Sequence, residues 1–143
     1  MIMSSTHRSN DPIYKILSSQ LQVIRGGLTI SLTDRRGDLV SQVTLSEAEG
    51  APNQDELSLI HVYGQLTYQQ APSRLAHLSV ERGPFRWFGH RMIVAEDVYD
   101  LWIISVNHPL QSSSRAEMEL HIQKLEEDLS VFLKGDSLTR GSQ

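Results

Sequence analysis

Residues 101–106 read Leu-Trp-Ile-Ile-Ser-Val. As a β-strand this stretch is apolar on both sides, because successive side chains point to opposite faces. A strand of that kind belongs inside a sheet that is covered above and below. The chain must therefore supply helices for two outer layers as well as flanking strands. It is also too short to cross a bilayer, and no other apolar run is longer than a few residues, so membrane insertion is not expected.

The rest of the sequence provides those parts. Asp11-Pro12 starts a helix: the Asp side chain caps free N–H groups and Pro suits the first turn. Ile13, Ile16, Leu17, Leu21 and Ile24 follow at helical spacing, and Gly26-Gly27 end the run, giving a first helix at about 12–24. Leu28, Ile30 and Leu32 then alternate with Thr29, Ser31 and Thr33, which marks a strand. Asp34-Arg35-Arg36-Gly37 is a hairpin turn, and a second strand follows at about 39–45. Leu57, Ile60, Tyr63 and Leu66 suggest a helix at about 53–70, stopped by Pro72 and apolar on more than one face. From Leu75 the period returns to two. A third strand carries Leu78 and Val80, Arg82-Gly83-Pro84 turns the chain, and residues 85–94 form a fourth, with Gly89 as a bulge or point of close approach. Ala95-Glu96-Asp97 turns again into the doubly apolar strand at 101–106. Ser114 and Glu117 make a capping box for a last helix with the stripe Met118, Ile122, Leu125, Leu129 and Phe132, which Gly135 stops.

The expected architecture is α/β of the α+β kind: a three-layer α-β-α sandwich on a five-stranded antiparallel sheet, in the order α-β-β-α-β-β-β-α. With 143 residues there is room for one domain. It is placed at 11–134, between a loose leader at 1–10 and a flexible tail at 135–143.

Catalytic chemistry is hard to find. There is no cysteine, and no G-x-S-x-G elbow. The phosphate-cradling G-x-x-x-x-G-K-[ST] and G-x-G-x-x-G loops are absent, as is H-E-x-x-H. No catalytic residue, cofactor or metal site is assigned, and no enzymatic activity is expected. His77 and His90 face each other across the 75–94 hairpin as conceivable metal ligands, but two hydrogen-bonded histidines are the simpler reading. Glu126-Glu127-Asp128 is read as a solvated helix face, since consecutive helical residues diverge. Arg36-Gly37-Asp38 matches an integrin-binding tripeptide, yet Gly and Asp are ordinary residues of a polar hairpin tip. The segment from Glu81 to Arg91 sets Arg82, Arg86 and Arg91 beside Phe85, Trp87 and Phe88. Core with interface, core alone, or stacking on single-stranded nucleic acid are all open to such a segment. A net charge of −4 opposes the last, and no nucleic acid is expected as a partner. If Phe85 and Trp87 point inward, Phe88 and Arg86 point outward. Absence of cysteine, signal peptide and membrane span fits a cytoplasmic address.

Two stretches resemble the roadblock family of dynein light chains and its bacterial and lysosomal relatives. Gly27-Leu28-Thr29-Ile30-Ser31-Leu32-Thr33, the turn Asp34 to Gly37, and Leu39-Val40-Ser41 are similar to that family's first hairpin. In Arg91 to Pro109, the residues Met92, Val94-Ala95, Asp97, Asp100, Ile103, Val106, Asn107 and Pro109 match its later strand pair in type and nearly in register. The likeness spans about 13–134. The chain departs from the minimal dynein subunit in its longer Phe85 to His90 hairpin and in its last helix. That helix is similar instead to the third helix of bacterial GTPase-partner roadblock proteins and lysosomal scaffold subunits. Longin- and profilin-like domains share part of the layout but lack the first helix.

The resemblance implies a non-catalytic dimeric adaptor, as a homodimer or with a related roadblock subunit, that binds a Ras-like small GTPase or its signalling complex. The alternative is a roadblock-type light chain bound to a dynein intermediate chain. The topology leaves the third strand at a sheet edge, which a two-fold partner would cover by pairing. The expected dimer interface is Leu57, Ile60, Tyr63, Gly64, Leu78, Val80 and Arg82. The expected partner contacts are Arg82, Arg86, Trp87 and Phe88.

Overall fold

The doubly apolar strand does lie inside a sheet. A computed structural model describes residues 3–5, 11–45, 77–108 and 110–141, together with Asn53, Asp55, Glu56, Leu59, Val62, Tyr63 and Leu66. Its strands are β1 (Met3–Ser5), β2 (Gly27–Asp34), β3 (Leu39–Leu45), β4 (His77–Arg82), β5 (Phe85–Val94) and β6 (Asp97–Val106). Its helices are α1 (Pro12–Val23), α2 (helical at Asp55, Glu56, Leu59, Val62, Tyr63 and Leu66) and α3 (Arg115–Gly141). The described strands form one antiparallel sheet in the order β1-β3-β2-β6-β5-β4. β6, which holds residues 101–106, is flanked by β2 and β5, as its two apolar faces require.

Five strands and their order follow the sequence expectation, and the structure adds a sixth. Met3–Ser5 pairs along the outer edge of β3, with Met3 opposite Leu45 and Ser5 opposite Val43, where a loose leader was expected. At the other end, α3 continues through Gly135 to Gly141. A glycine inside a helix costs about 1 kcal/mol relative to alanine and does not forbid the turn. Gly89 is not a bulge either, since the pairing of β5 runs unbroken past it on both sides. β6 begins at Asp97, earlier than expected, because the Ala95-Glu96 turn reverses the chain with both residues at positive φ (51° and 73°), the twist that a two-residue hairpin turn demands.

Local chemistry sets the helix ends. Asp11 Oδ1 accepts from Ile13 N at 2.9 Å ahead of Pro12. After α1, Gly26 takes φ +75°, and a Cβ there would stand 2.5 Å from the Gln111 carbonyl oxygen, so this crossing admits only glycine. The capping box forms as expected: Ser114 Oγ accepts from Glu117 N and Glu117 Oε1 accepts from Ser114 N, both at 3.2 Å. Those Ser114 hydrogen bonds, aided by Arg25, hold the Glu117 carboxyl below the usual carboxylate range.

One face of the sheet packs Ile30, Leu32, Val43, Phe88, Met92, Leu101 and Ile103 under α1 and α3. α3 contributes Met118, Ile122, Leu125, Leu129 and Leu133. Leu133 takes the place expected for Phe132, which is exposed. Stepping 3.6 residues from Leu129 lands between the two, and the packing selects the second. The opposite face carries a smaller cluster of Leu28, Phe85, Trp87 and Ile104. It also carries a buried polar layer. Trp102 Nε1 donates to Thr33 Oγ1 at 3.0 Å, Ser31 Oγ donates to Gln42 Oε1 at 3.1 Å, and Arg91 grips Asp100 with two bonds of 2.8 and 3.0 Å.

Candidate docking surface at the sheet edge

The β4–β5 hairpin, expected to bear both interface and partner contacts, closes the sheet at one end. β4 is the terminal strand, and among the described residues no strand pairs with its outer side. Such an edge presents backbone N–H and C=O groups to any strand that approaches. The turn behind it is held firmly. Gly83 sits at φ +58°, Asn107 N donates to the Pro84 carbonyl at 2.8 Å, and Asn107 Nδ2 donates to the Gly83 carbonyl at 3.2 Å.

Beside this edge α2 shows an unusual face. Leu59, Val62, Tyr63 and Leu66 are between 45% and 57% exposed. Their spacing of i, i+3, i+4 and i+7 puts them on one stripe of the helix, the stripe that an amphipathic helix ordinarily buries. Covering the rest of such a side chain contributes on the order of 1 kcal/mol. The stripe borders a groove of about 290 Å³. It is lined by Glu56, Leu59 and Tyr63 of α2 and by Pro84, Phe85 and Trp87 of the hairpin. The start of α2 is capped reciprocally, Asn53 Oδ1 accepting from Glu56 N at 2.9 Å and Glu56 Oε1 accepting from Asn53 N at 3.1 Å.

Of the residues expected at the dimer interface, Tyr63 belongs to the exposed stripe and Val80 packs partly against Trp87. Leu57, Ile60 and Gly64 lie outside the described residues. Leu78 and Arg82 are placed by backbone in β4, opposite Gly89 and Phe85, and their side chains lie outside what is described. Leu59 and Val62 were missed: sequence spacing was counted from Leu57, whereas the stripe that stays open is anchored on Leu59.

The expected partner contacts need correction. Trp87 is 4% exposed and Phe88 5%, so both are core residues of this chain. Phe88 does point away from Trp87, but that face is covered by α3 rather than by water. Arg86 goes with Phe88 to the same covered side. Its guanidinium lies 5.0 Å from the Phe88 ring centre, 3.7 Å from Glu81 Oε1, and 3.4 Å from the Ser113 carbonyl that accepts from it. It acts as a strut between β5 and the start of α3, leaving Arg82 as the remaining basic candidate of the turn. Arg36-Gly37-Asp38 forms the polar tip expected of it, with Asp34 Oδ1 accepting from the N–H groups of Arg36 and Asp38 at 2.9 and 3.0 Å.

An edge strand, an uncovered apolar stripe and a shallow groove suit burial against another protein surface more than chemistry on a small molecule. No helix among the described residues is long and apolar enough to cross a membrane.

Comparison with known proteins identifies the fold. No protein-family model and no curated protein sequence matches the chain. Solved structures do. MglB of Myxococcus xanthus aligns at 16% identity and TM-score 0.60, over 90% of this chain and 99% of that one. The gliding protein MglB of Thermus thermophilus aligns at 17% identity and TM-score 0.61, over 89% and 95%. A Roadblock/LC7 domain from Streptomyces avermitilis aligns at 11% identity and TM-score 0.64, over 86% and 98%. The chain has the roadblock fold.

Proposed function

We propose that this protein is a non-catalytic regulatory module that pairs with a second copy or a related roadblock subunit and docks a Ras-like small GTPase or its signalling complex. The observation that carries the reading is the exposed stripe of Leu59, Val62, Tyr63 and Leu66 beside the unpaired outer side of β4. A two-fold partner joining β4 to β4 and α2 to α2 satisfies the edge and covers the stripe in one step. Leu57, Ile60, Gly64, Leu78, Val80 and Arg82 complete the proposed contact. The GTPase partner is supported by the resemblance to bacterial roadblock proteins that serve such enzymes, and by the long α3 that dynein-type subunits lack. A cytoplasmic site of action goes with that partner.

Tyr63→Glu tests the pairing, because it sets a charge into the middle of the stripe. Sedimentation should show the wild-type chain at twice its monomer mass and the variant at one. A wild-type monomer, or a variant of undiminished mass, would overturn the dimer. The partner is tested separately, with immobilised Ras-like GTPases from the same genome loaded with GDP or a GTP analogue. Nucleotide-dependent retention of the wild-type dimer supports the docking role. An intact dimer that no loaded GTPase retains refutes the partner and leaves the pairing standing.

A further inference from the structure

We propose that Arg86 couples the edge strand β4 to the start of α3, so that pairing at the edge firms the first turn of that helix; the coupling rests on the β4 pairing proposed above. Arg86 stands between the two elements. Its register partner across the hairpin is Glu81 of β4, and its Nε lies 3.7 Å from Glu81 Oε1. Its Nη1 donates to the Ser113 carbonyl at 3.4 Å. The guanidinium rests 5.0 Å from the Phe88 ring centre, and the side chain is 17% exposed, against 65% for Glu81. One largely buried cation thus spans an edge strand, a core ring and the residue ahead of a helix cap.

Ser113 is a junction. Its N–H donates to the Arg25 carbonyl, just past α1, at 2.9 Å. Ser114 beside it caps α3 through its two bonds with Glu117, and Met118 N closes the first turn on the Ser114 carbonyl at 2.9 Å. Both Arg86 contacts are slack: 3.4 Å is long for a hydrogen bond, and 3.7 Å is an ion pair without one. In water such a pair is worth little. A strand laid along the outer side of β4 takes water from Glu81, and the attraction grows as the surrounding dielectric falls. Arg86 is already withdrawn from water, so only Glu81 is newly desolvated. The paired and open states therefore differ in how tightly Glu81 holds the guanidinium, which is the difference a coupling needs. With the guanidinium held, the Ser113 carbonyl and the turn behind it open less often. Coupling is reciprocal, so an intact Arg86 bridge also favours pairing.

The test is hydrogen exchange of the full chain, read by mass spectrometry above and below the dimer midpoint found by sedimentation. Slower exchange in β4 at the higher concentration reports the pairing itself. In the wild-type chain, peptides spanning residues 113–118, which hold the bonded amides of Ser113, Ser114, Glu117 and Met118, should slow with it by about two- to fivefold. Glu81→Gln removes the charge from an exposed side chain and leaves the core untouched. At saturating concentration it should still protect β4, while residues 113–118 exchange alike in the paired and open states. Arg86→Met should do the same, and Glu81→Gln decides the matter if that variant folds poorly. A wild-type chain that pairs and protects β4 without slowing 113–118 overturns the coupling and leaves the pairing standing, as does a Glu81→Gln variant that slows like the wild type. A wild-type chain that never pairs overturns both.

Discussion

Arg91→Met isolates the buried ion pair on the sheet face opposite α1 and α3. Arg91 and Asp100 are register partners on β5 and β6, joined by bonds of 2.8 and 3.0 Å. The Asp100 side chain is fully buried, and that of Arg91 is 28% exposed. At an effective dielectric of about 20 the attraction is worth roughly 4 kcal/mol at 4 Å, while removing one member of a buried pair costs about 3–5 kcal/mol because the other charge loses its counter-ion. Water reaching the guanidinium puts this pair near the lower end, about 3 kcal/mol. For a chain of this size that is roughly 10 °C in melting temperature. The double variant Arg91→Met/Asp100→Leu removes both charges and should regain most of the loss, since apolar replacements of a buried pair are often neutral or stabilising. Urea unfolding of wild type, single and double variants, with slopes that agree, measures all three values. A single-variant loss below about 1 kcal/mol, or a double variant no better than the single, would refute the claim that the buried carboxylate's loss of its guanidinium sets the cost.

Trp87→Ala should lower stability by about 3–5 kcal/mol, the cost of emptying a buried aromatic site, read by urea unfolding; a loss under about 1 kcal/mol would return Trp87 to the surface. His121, beside Gln20 at 2.6 Å, is held below its ordinary value of 6.5 mainly by burial, with the Glu117 charge opposing. The folded chain then binds fewer protons than the unfolded one below that value. Stability from this group is complete above about pH 6.5 and falls as the pH drops toward the lowered folded value. Melting scans from about pH 7.5 to 5 should show that fall, and His121→Gln should remove its share.

Much of the fold was legible because its signals are local. Asp11-Pro12, the Ser114–Glu117 box and the alternation of residues 28–33 each fix a short piece without reference to the rest. The apolar faces of residues 101–106 set the layering. The site was less legible because it depends on what covers what. Alternation sorted Phe88 from Trp87 correctly but could not tell which faces α3 would roof, so a core pair was taken for contacts. The same gap hides the polar layer: Thr29, Ser31 and Thr33 look like a wet strand face and are buried, their hydroxyls bound across strands. The stripe from Leu59 to Leu66 was half seen, since a helix apolar on several sides gives no sequence cue to the side left open.

The two rims of the sheet differ in a way that bears on assembly. At one rim β1 lies against Val43–Leu45 of β3; at the other, β4 has no partner among the described residues. A two-fold union through β4 uses the same patch on both copies and therefore closes. It would still leave a β3 rim at each end of the joined sheet, where further copies could add strand to strand. Three residues of β1 are enough to blunt that rim, since a very short edge strand offers little ladder to a newcomer. Removing residues 1–10 should then leave the β4 pairing intact while opening growth at β3. Sedimentation over a wide concentration range should show the full chain at constant mass and the shortened chain climbing beyond the dimer. A shortened chain that holds the dimer mass throughout would mean that β3 needs no cover, and the role assigned to Met3–Ser5 would be wrong.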